Sequence, residues 1–228
     1  MTRLFSVVAL AALAACSGSY DERVREEFHQ ATPASATAVV HVTNIAGSVR
    51  VEGWNKPSVD VQATKYGYDA QELRSITIGV RKEGDAIFVT TTYGSGMHRG
   101  GVRYRIFVPA GASLKISNVA GAIEAAGVRG NVTVETQAGE IVADLGTVSE
   151  NRSIDLQATT GAIQLSIAPD SNARIEAHTT VGAFSSDIPD VVQSRENIVG
   201  ARAGGKIGSG SAHIRLATTT GAIMLRER

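Results

Sequence analysis

Cysteine is almost absent: Cys16 is the only one among 228 residues. One thiol permits no internal disulfide and no multi-cysteine metal site. Aromatic residues make up 5% of the chain and there are five prolines, so any large core has to be mostly aliphatic. Charge is scarce too, at 19% of residues against roughly 25% in an average soluble domain. The 22 basic residues balance 22 acidic ones, which removes the electrostatic reason to expect a nucleic acid, whose phosphates need a concentrated excess of Lys and Arg. With 43% apolar residues, the chain can bury enough surface to offset the entropy of ordering, which excludes a disordered class.

The lone cysteine sits at an informative place. Arg3 gives a basic start, Leu4 to Ala14 is apolar apart from Ser6, and small residues end at Ala15. This pattern reads as a signal peptide over residues 1–15, with an apolar core too short to span a bilayer. Leu13, Ala14, Ala15 and Cys16 resemble the lipobox of bacterial lipoproteins, which implies cleavage before Cys16 and acylation of its sulfur. Several acyl chains would hold the body to a membrane, at about 0.8 kcal/mol per buried CH₂. Ser17 follows, and by the sorting rule of Gram-negative lipoproteins a residue other than Asp implies the outer membrane. The expected localisation is a lipid-anchored outer-membrane protein, with its periplasmic or surface-facing side left open. Residues 16–27 are polar and charged and read as the acylated cysteine and a solvated tether.

From Val39 the chain alternates with period two, as in Val40-His41-Val42, Val49-Arg50-Val51, Val59-Asp60-Val61 and Val102 to Ile106. That is the signature of half-buried strands. One helical exception is expected at 69–75, where Asp69 and Glu72 have capping-box spacing. Lys82 to Asp85 reads as a hairpin turn.

Beyond residue 115 the chain repeats itself. Thr-Thr-Gly-Ala-Ile occurs at 159–163 and again at 219–223. Related glycines fall at Gly121, Gly139, Gly161, Gly182, Gly205 and Gly221, with spacings of 18, 22, 21, 23 and 16, and Gly47 begins a similar unit. The near-regular spacing marks a repeat architecture. Alternation also changes phase at the glycine: Ile154, Leu156 and Ala158 precede Gly161, whereas Ile163, Leu165 and Ile167 follow it. The chain therefore turns there, and glycine tolerates the positive φ such a corner needs. A stack of β-solenoid coils of about 20 residues and a meander of tight hairpins both satisfy this pattern. Hairpins favour Asn-Gly or a leading Gly, and most sites have Thr, Ala or Val before the glycine, which favours the all-β solenoid. Stacked in chain order, the coils would align Ile123, Ile141, Ile163, Phe184, Ile207 and Ile223 in one internal column. Residues 28–117 would form an irregular N-terminal β region capping the repeats at 118–228, the two making one continuous domain. Arg226 to Arg228 would place charge beside the last exposed strand.

Residues 44–54 (NIAGSVRVEGW), Val59 to Val61, the recurring Gly-x-Ile units and residues 205–210 (GKIGSG) together resemble a bacterial family of β-strand-repeat proteins of unknown function, often labelled "putative adhesin". The resemblance spans about residues 36–228, with the copy at Gly205 departing most from the pattern. It implies an exported or envelope protein with a β-solenoid-like body. Its motifs are structural, so no catalytic or binding residue carries over.

Residues 200–206 (GARAGGK) match the start of a phosphate loop, but Ile207 stands where Ser or Thr must meet Mg²⁺. His29, His41, His98, His178 and His213 lack metal-ligand spacing, so no metal and no cofactor is expected. Glu140 is isolated beside its glycine, and Glu135, Asp144 and Asp155 define no hydrolase pair; the chain is not expected to be an enzyme. The glycine-rich stretch 94–101 reads as a hairpin tip, with His98 and Arg99 as a candidate ligand loop. Threonines at 159–160, 179–180 and 218–220 suit a structural ladder or a flat polar face. The expected function is a membrane-anchored, adhesin-like binding or scaffold module, with a glycan or an envelope protein as partner. The rivals are a periplasmic envelope-maintenance protein and a polysaccharide-active β-helix enzyme.

Overall fold

The computed structural model describes residues 23–96, 99–194 and 200–228. The expected signal peptide, the lipobox with Cys16, and His98 lie outside the described residues. In chain order the strands are β1 (Val24–Pro33), β2 (Val39–Ala46), β3 (Val49–Trp54) and β4 (Ser58–Gly67), followed by helix α1 (Ala70–Ser75). Then come β5 (Ile76–Glu83), β6 (Ala86–Tyr93), β7 (Gly101–Pro109), β8 (Ser113–Ala120), β9 (Ile123–Ala126), β10 (Val132–Ala138) and β11 (Ile141–Gly146). The rest are β12 (Ser153–Thr160), β13 (Ile163–Ile167), β14 (Ala173–Val181), β15 (Phe184–Ser186), β16 (Val191–Ser194), β17 (Ala201–Ile207), β18 (Ala212–Thr220) and β19 (Ile223–Glu227).

These strands form two sheets, of nine and ten strands. The repeats pair in parallel: β8, β10 and β12 in one sheet, β9, β11 and β13 in the other. Parallel ladders exclude the hairpin meander, which would pair neighbours antiparallel. Each coil lays one strand in each sheet and turns between them on a glycine. The N-terminal region also contains coils: β2–β3 stacks on β8–β9, and β6–β7 stacks on β2–β3. The division at 117/118 thus falls within β8, and residues 24–27, expected in the tether, belong to β1, which pairs with β4.

Stacking does not follow chain order at the far end. The last coil, β18–β19, lies between β12–β13 and β14–β15. The internal column is therefore Tyr104, Val49, Ile123, Ile141, Ile163, Ile223 and Phe184. Ile207 is not a member, because β17 runs antiparallel to β14 and pairs it with Ala173. Gly205 is accordingly not a corner glycine: it lies within β17, where a Cβ would meet the Asp190 carbonyl oxygen at 2.3 Å. The expectation that Arg226 to Arg228 guard an exposed edge also fails, since β19 is flanked on both sides and three-residue β15 forms that edge.

At the true corners the backbones stack directly. A Cβ on Gly161 would lie 1.9 Å from the Gly139 carbonyl oxygen, and one on Gly121, Gly139, Gly182 or Gly221 would lie 2.0 to 2.3 Å from the glycine oxygen of the next coil. Gly47 meets the Val102 oxygen in the same way. Gly161 has φ +149°, a conformation that side chains resist. Across the corner the ladder continues unbroken, with Gly161 N–H donating to the Thr220 carbonyl and Ile163 N–H to that of Ala222, both at 2.9 Å.

Antiparallel strands close the stack. β1 and β4 extend the nine-stranded sheet beyond β7, β5 extends the ten-stranded sheet beyond β6, and β17 and β16 extend it beyond β14. A stack of parallel coils needs such end pieces, because the outermost coil would otherwise leave apolar and backbone groups unpaired.

Candidate binding face

Alternation along β8, β10, β12, β18, β14 and β17 turns every second side chain outward, as in β14 where Arg174, Glu176 and His178 are turned outward between buried Ala173, Ile175 and Ala177. Register then sets these side chains in rows across the ten-stranded sheet. One row runs Ser153, His213, Arg174, Lys206 and a second Asp155, Arg215, Glu176, Gly204. A third runs Ser117, Glu135, Gln157, Ala217, His178, Arg202. Because Ala217 and Gly204 are small, the face is hollowed beside them.

Three adjoining depressions result. The largest, of about 530 Å³, has Gly204 and Ala217 on its floor and Arg202, Arg215, Glu176 and His178 on its walls. One of about 350 Å³ shares His178 and Ala217 with it and extends over Glu135, Gln157 and Thr219. One of about 240 Å³ shares Glu176 and Arg215 and reaches Arg174, His213 and Asp155. They form one continuous shallow trough on a rigid sheet.

Glu135 and Asp155 meet on this face, on adjacent strands and offset in register. Both Asp155 oxygens accept from the Gln157 amide at 3.1 Å, and neither carboxylate is buried. A general acid of the glycosidase kind is made by burial, which this arrangement does not supply. Asp144 is on the other sheet, beside Arg228 at 3.4 Å. Among the described residues no group of three or more His, Cys, Asp or Glu side chains is placed to hold a metal ion, and no helix is long and apolar enough to cross a membrane.

Stretch 94–101 is not a hairpin tip. β6 and β7 belong to different sheets, so no hairpin joins them. The far end of the stretch is pinned: Glu72 accepts from the backbone N–H groups of Arg99 and Gly100 and from that of Tyr68. Asp69 caps α1 by accepting from Glu72 N–H at 2.8 Å, as the capping spacing predicts, while the Glu72 carboxylate serves the loop. Arg99 lines none of the three depressions.

Threonine placement splits by register. Thr159, Thr160, Thr180, Thr219 and Thr220 are exposed, whereas Thr179 and Thr218 point inward. Thr179 Oγ1 donates to the Gly221 carbonyl at 2.9 Å and Thr218 Oγ1 to that of Gly161 at 3.0 Å. Asn118 serves Gly47 and Gly121 through Nδ2, each at 3.1 Å. A polar residue three places before the corner glycine thus satisfies a glycine carbonyl inside the corner at Asn44, Asn118, Thr179 and Thr218, whereas Thr136 keeps the offset with its hydroxyl unpartnered. The regular offset of Asn44, Asn118, Thr136, Thr179 and Thr218 from their glycines is the signal that reveals it.

The geometry defines a class first: a two-sheet β-solenoid with glycine corners and an open polar face. A family model described as Toastrack DUF4097 matches residues 109–226, more than half of the chain, and the protein belongs to that family. A crystal structure described as a "putative cell adhesion protein" from Clostridium sporogenes ATCC 15579 is similar, with 12% identity over 90% of this chain and 100% of that one and a TM-score of 0.69. A second, a "putative adhesin" from Bacteroides fragilis NCTC 9343, aligns over 88% of this chain and 97% of its own at 13% identity, with a TM-score of 0.32. No curated protein sequence matches the chain.

Proposed function

We propose that this protein is a lipid-anchored envelope protein that acts as an adhesin-like binding module, with the trough on the ten-stranded sheet as its binding surface. The observation that carries the reading is the trough: three joined depressions, walled by long polar side chains, on a rigid scaffold. Flat, preorganised faces bind at low conformational cost, because few groups must be ordered when the ligand arrives. Leu13 to Cys16 support the anchor, and the adhesion-related description of the Clostridium sporogenes structure is compatible with binding. A periplasmic partner-binding role is the second reading, supported by the same anchor.

Protease shaving of intact cells separates the two. The native chain carries a C-terminal epitope and is compared with a Cys16→Ala variant and a permeabilised sample. Loss of the epitope from intact cells is expected for the adhesin-like role. Loss only after permeabilisation would place the body in the periplasm and end that role.

A further inference from the structure

The nine-stranded sheet and the β18, β14 and β17 end of the ten-stranded sheet treat their cations differently. On the nine-stranded sheet they are engaged: Arg50 lies 2.8 Å from Glu52 and 3.1 Å from Glu124, Arg105 lies 3.3 Å from Glu52, and Lys65 lies 2.7 Å from Glu26. Arg103 stacks over Tyr66 and Lys56 over Trp54, at 4.4 and 4.7 Å. On the ten-stranded sheet, the outward positions of β18, β14 and β17 hold Arg215, Arg174, Arg202 and Lys206 with Glu176 as the one carboxylate. Among the described residues Arg174, Lys206 and Arg215 make no ion pair.

Register makes this arrangement costly. Arg174 sits directly opposite Lys206, and like charges directly opposite each other destabilise a sheet. The chain as a whole is neutral, so this end of the face is a local excess of positive charge, spaced about 4.8 Å from strand to strand. Within it Arg215 stands between Asp155 and Glu176 in its row, and the trough continues past it over Gln157, Thr159, Thr219 and His178.

From this geometry we infer that the trough binds an extended anionic polysaccharide. Arg174, Arg215 and Lys206 would meet its carboxylate or phosphate groups, and the amide and hydroxyl side chains farther along would meet its hydroxyls. Guanidinium groups match such oxyanions through paired N–H donors. Three joined depressions fit a chain rather than a single small anion. A protein partner would call for aromatic or large apolar anchors, and the trough is lined by no Phe, Tyr or Trp, with Val119 as its one exposed large apolar side chain. The inference rests on the proposed binding surface and adds the ligand's chemistry.

The test uses the full chain purified in detergent, with binding read by interferometry on immobilised polygalacturonate, dextran and poly-L-glutamate. Polygalacturonate is expected to bind, with affinity falling as salt rises, and dextran is expected to bind at least tenfold more weakly. The triple variant Arg174→Gln, Lys206→Gln, Arg215→Gln is expected to lose at least tenfold, at a melting midpoint equal to or above that of the native chain, because all three positions are exposed and the opposed charges of Arg174 and Lys206 are removed. Arg174→Lys with Arg215→Lys keeps the charge and should retain most of the affinity. Arg50→Gln with Arg105→Gln, on the opposite sheet, should stay within twofold of the native chain. Equal binding by the triple variant, equal loss in the opposite-sheet variant, or absence of polygalacturonate binding would each overturn the inference. Poly-L-glutamate bound as tightly as polygalacturonate would overturn it in favour of an acidic protein. Dextran bound as tightly would refute the anionic chemistry while leaving the binding surface standing, and the shaving experiment judges that broader reading separately.

Discussion

Each coil has two corners, and only one of them follows a single principle from coil to coil. On one side every corner from Gly47 to Gly182 stacks a glycine against the backbone of the next coil. On the other side the connections differ from coil to coil: 127–131 turns through Gly127 and again packs a glycine on backbone, Gly130 against the Ala112 carbonyl oxygen, whereas 147–152 ends on buried Arg152 and 168–172 is braced by Ser171, whose Oγ accepts from Val148 N–H at 3.0 Å and donates to the Ala168 carbonyl at 2.6 Å. Where backbone meets backbone, one residue type fits and the sequence repeats. Where side chains fill the corner, several solutions close it and the repeat is erased.

The sharpest way to break this comparison is to put a methyl group into the glycine column. Gly161→Ala should destabilise the fold by roughly 3 to 5 kcal/mol, combining an unfavourable φ with a collision against the Gly139 carbonyl. Gly84, at φ +58° with nothing within 4 Å of the place a Cβ would take, should cost only about 1 kcal/mol as alanine. Urea midpoints of the two variants decide the matter, and similar costs would mean that conformation rather than close approach governs the column.

At the side-chain corner the corresponding target is Arg152. It donates to the carbonyls of Gly130, Val128 and Thr147 at 3.1, 3.0 and 3.4 Å, and burial lowers its pKa. Arg152→Met should cost about 3 kcal/mol, because three carbonyls lose a charged donor. Arg152→Lys should recover only part, since one ammonium cannot reproduce the fork. Full recovery in a denaturation series would show that the charge alone suffices.

The glycine column itself ends differently at its first coil. There Gly47 rests on Val102, and a buried network takes over, in which Thr91 Oγ1 donates to Asn44 Oδ1 at 2.9 Å and lies 2.7 Å from the Tyr104 hydroxyl. Burial pushes the Tyr104 phenol up to about 12, with the Thr91 hydrogen bond pulling the other way. A folded-state value above the unfolded one near 10 favours the neutral phenol in the native state. In stability this contributes nothing below pH 10, where the phenol is neutral in both states, and a penalty that grows above pH 10 as the unfolded chain ionises first, reaching on the order of 2 kcal/mol near pH 12. Tyr93, raised to about 12 chiefly by burial, titrates in the same direction. Tyr104→Phe should therefore flatten part of the stability loss between pH 10 and 12, and an unchanged profile would assign the loss elsewhere.

Much of the glycine side was legible in the sequence, and the reason is physical. Positive φ and close approach leave glycine as the residue that fits, so Gly121, Gly139, Gly161, Gly182 and Gly221 recur with a phase change that reveals the turn. Coil order was not legible. Copies at 159–163 and 219–223 are nearly identical and their coils are neighbours, yet the intervening coil at 173–186 stacks beyond both. Gly205 misled because Gly-Lys-Ile imitates the motif in a strand where close packing, not turning, excludes a side chain. The trough was illegible for a different reason: its rows join residues from strands far apart in the chain, and register alone brings Arg174 beside Lys206 and His213. His98 and Arg99 stand out in the sequence through their glycine-rich neighbours, a local signal that carries nothing of that register.

The smallest expected effect tests the polar lining inside the glycine corner, and it turns on a contrast within one column. Thr218 and Thr136 occupy equivalent positions, both almost fully buried. Thr218 Oγ1 reaches the Gly161 carbonyl, but Thr136 lies beside Ala158 and Asn118, and its hydroxyl has no partner. Asn118 already serves the nearby Gly121 carbonyl. Valine keeps the shape of threonine and removes only the hydroxyl. Thr218→Val should cost about 1 kcal/mol for a lost buried hydrogen bond, while Thr136→Val should be neutral or stabilise by up to about 1 kcal/mol, because a desolvated, unpaired hydroxyl is removed. The difference is read from urea midpoints at unchanged m-value. A cost at Thr136 equal to that at Thr218 would mean that both hydroxyls are satisfied in solution, and that the corner is lined by a continuous hydrogen-bonded column rather than one interrupted at Thr136.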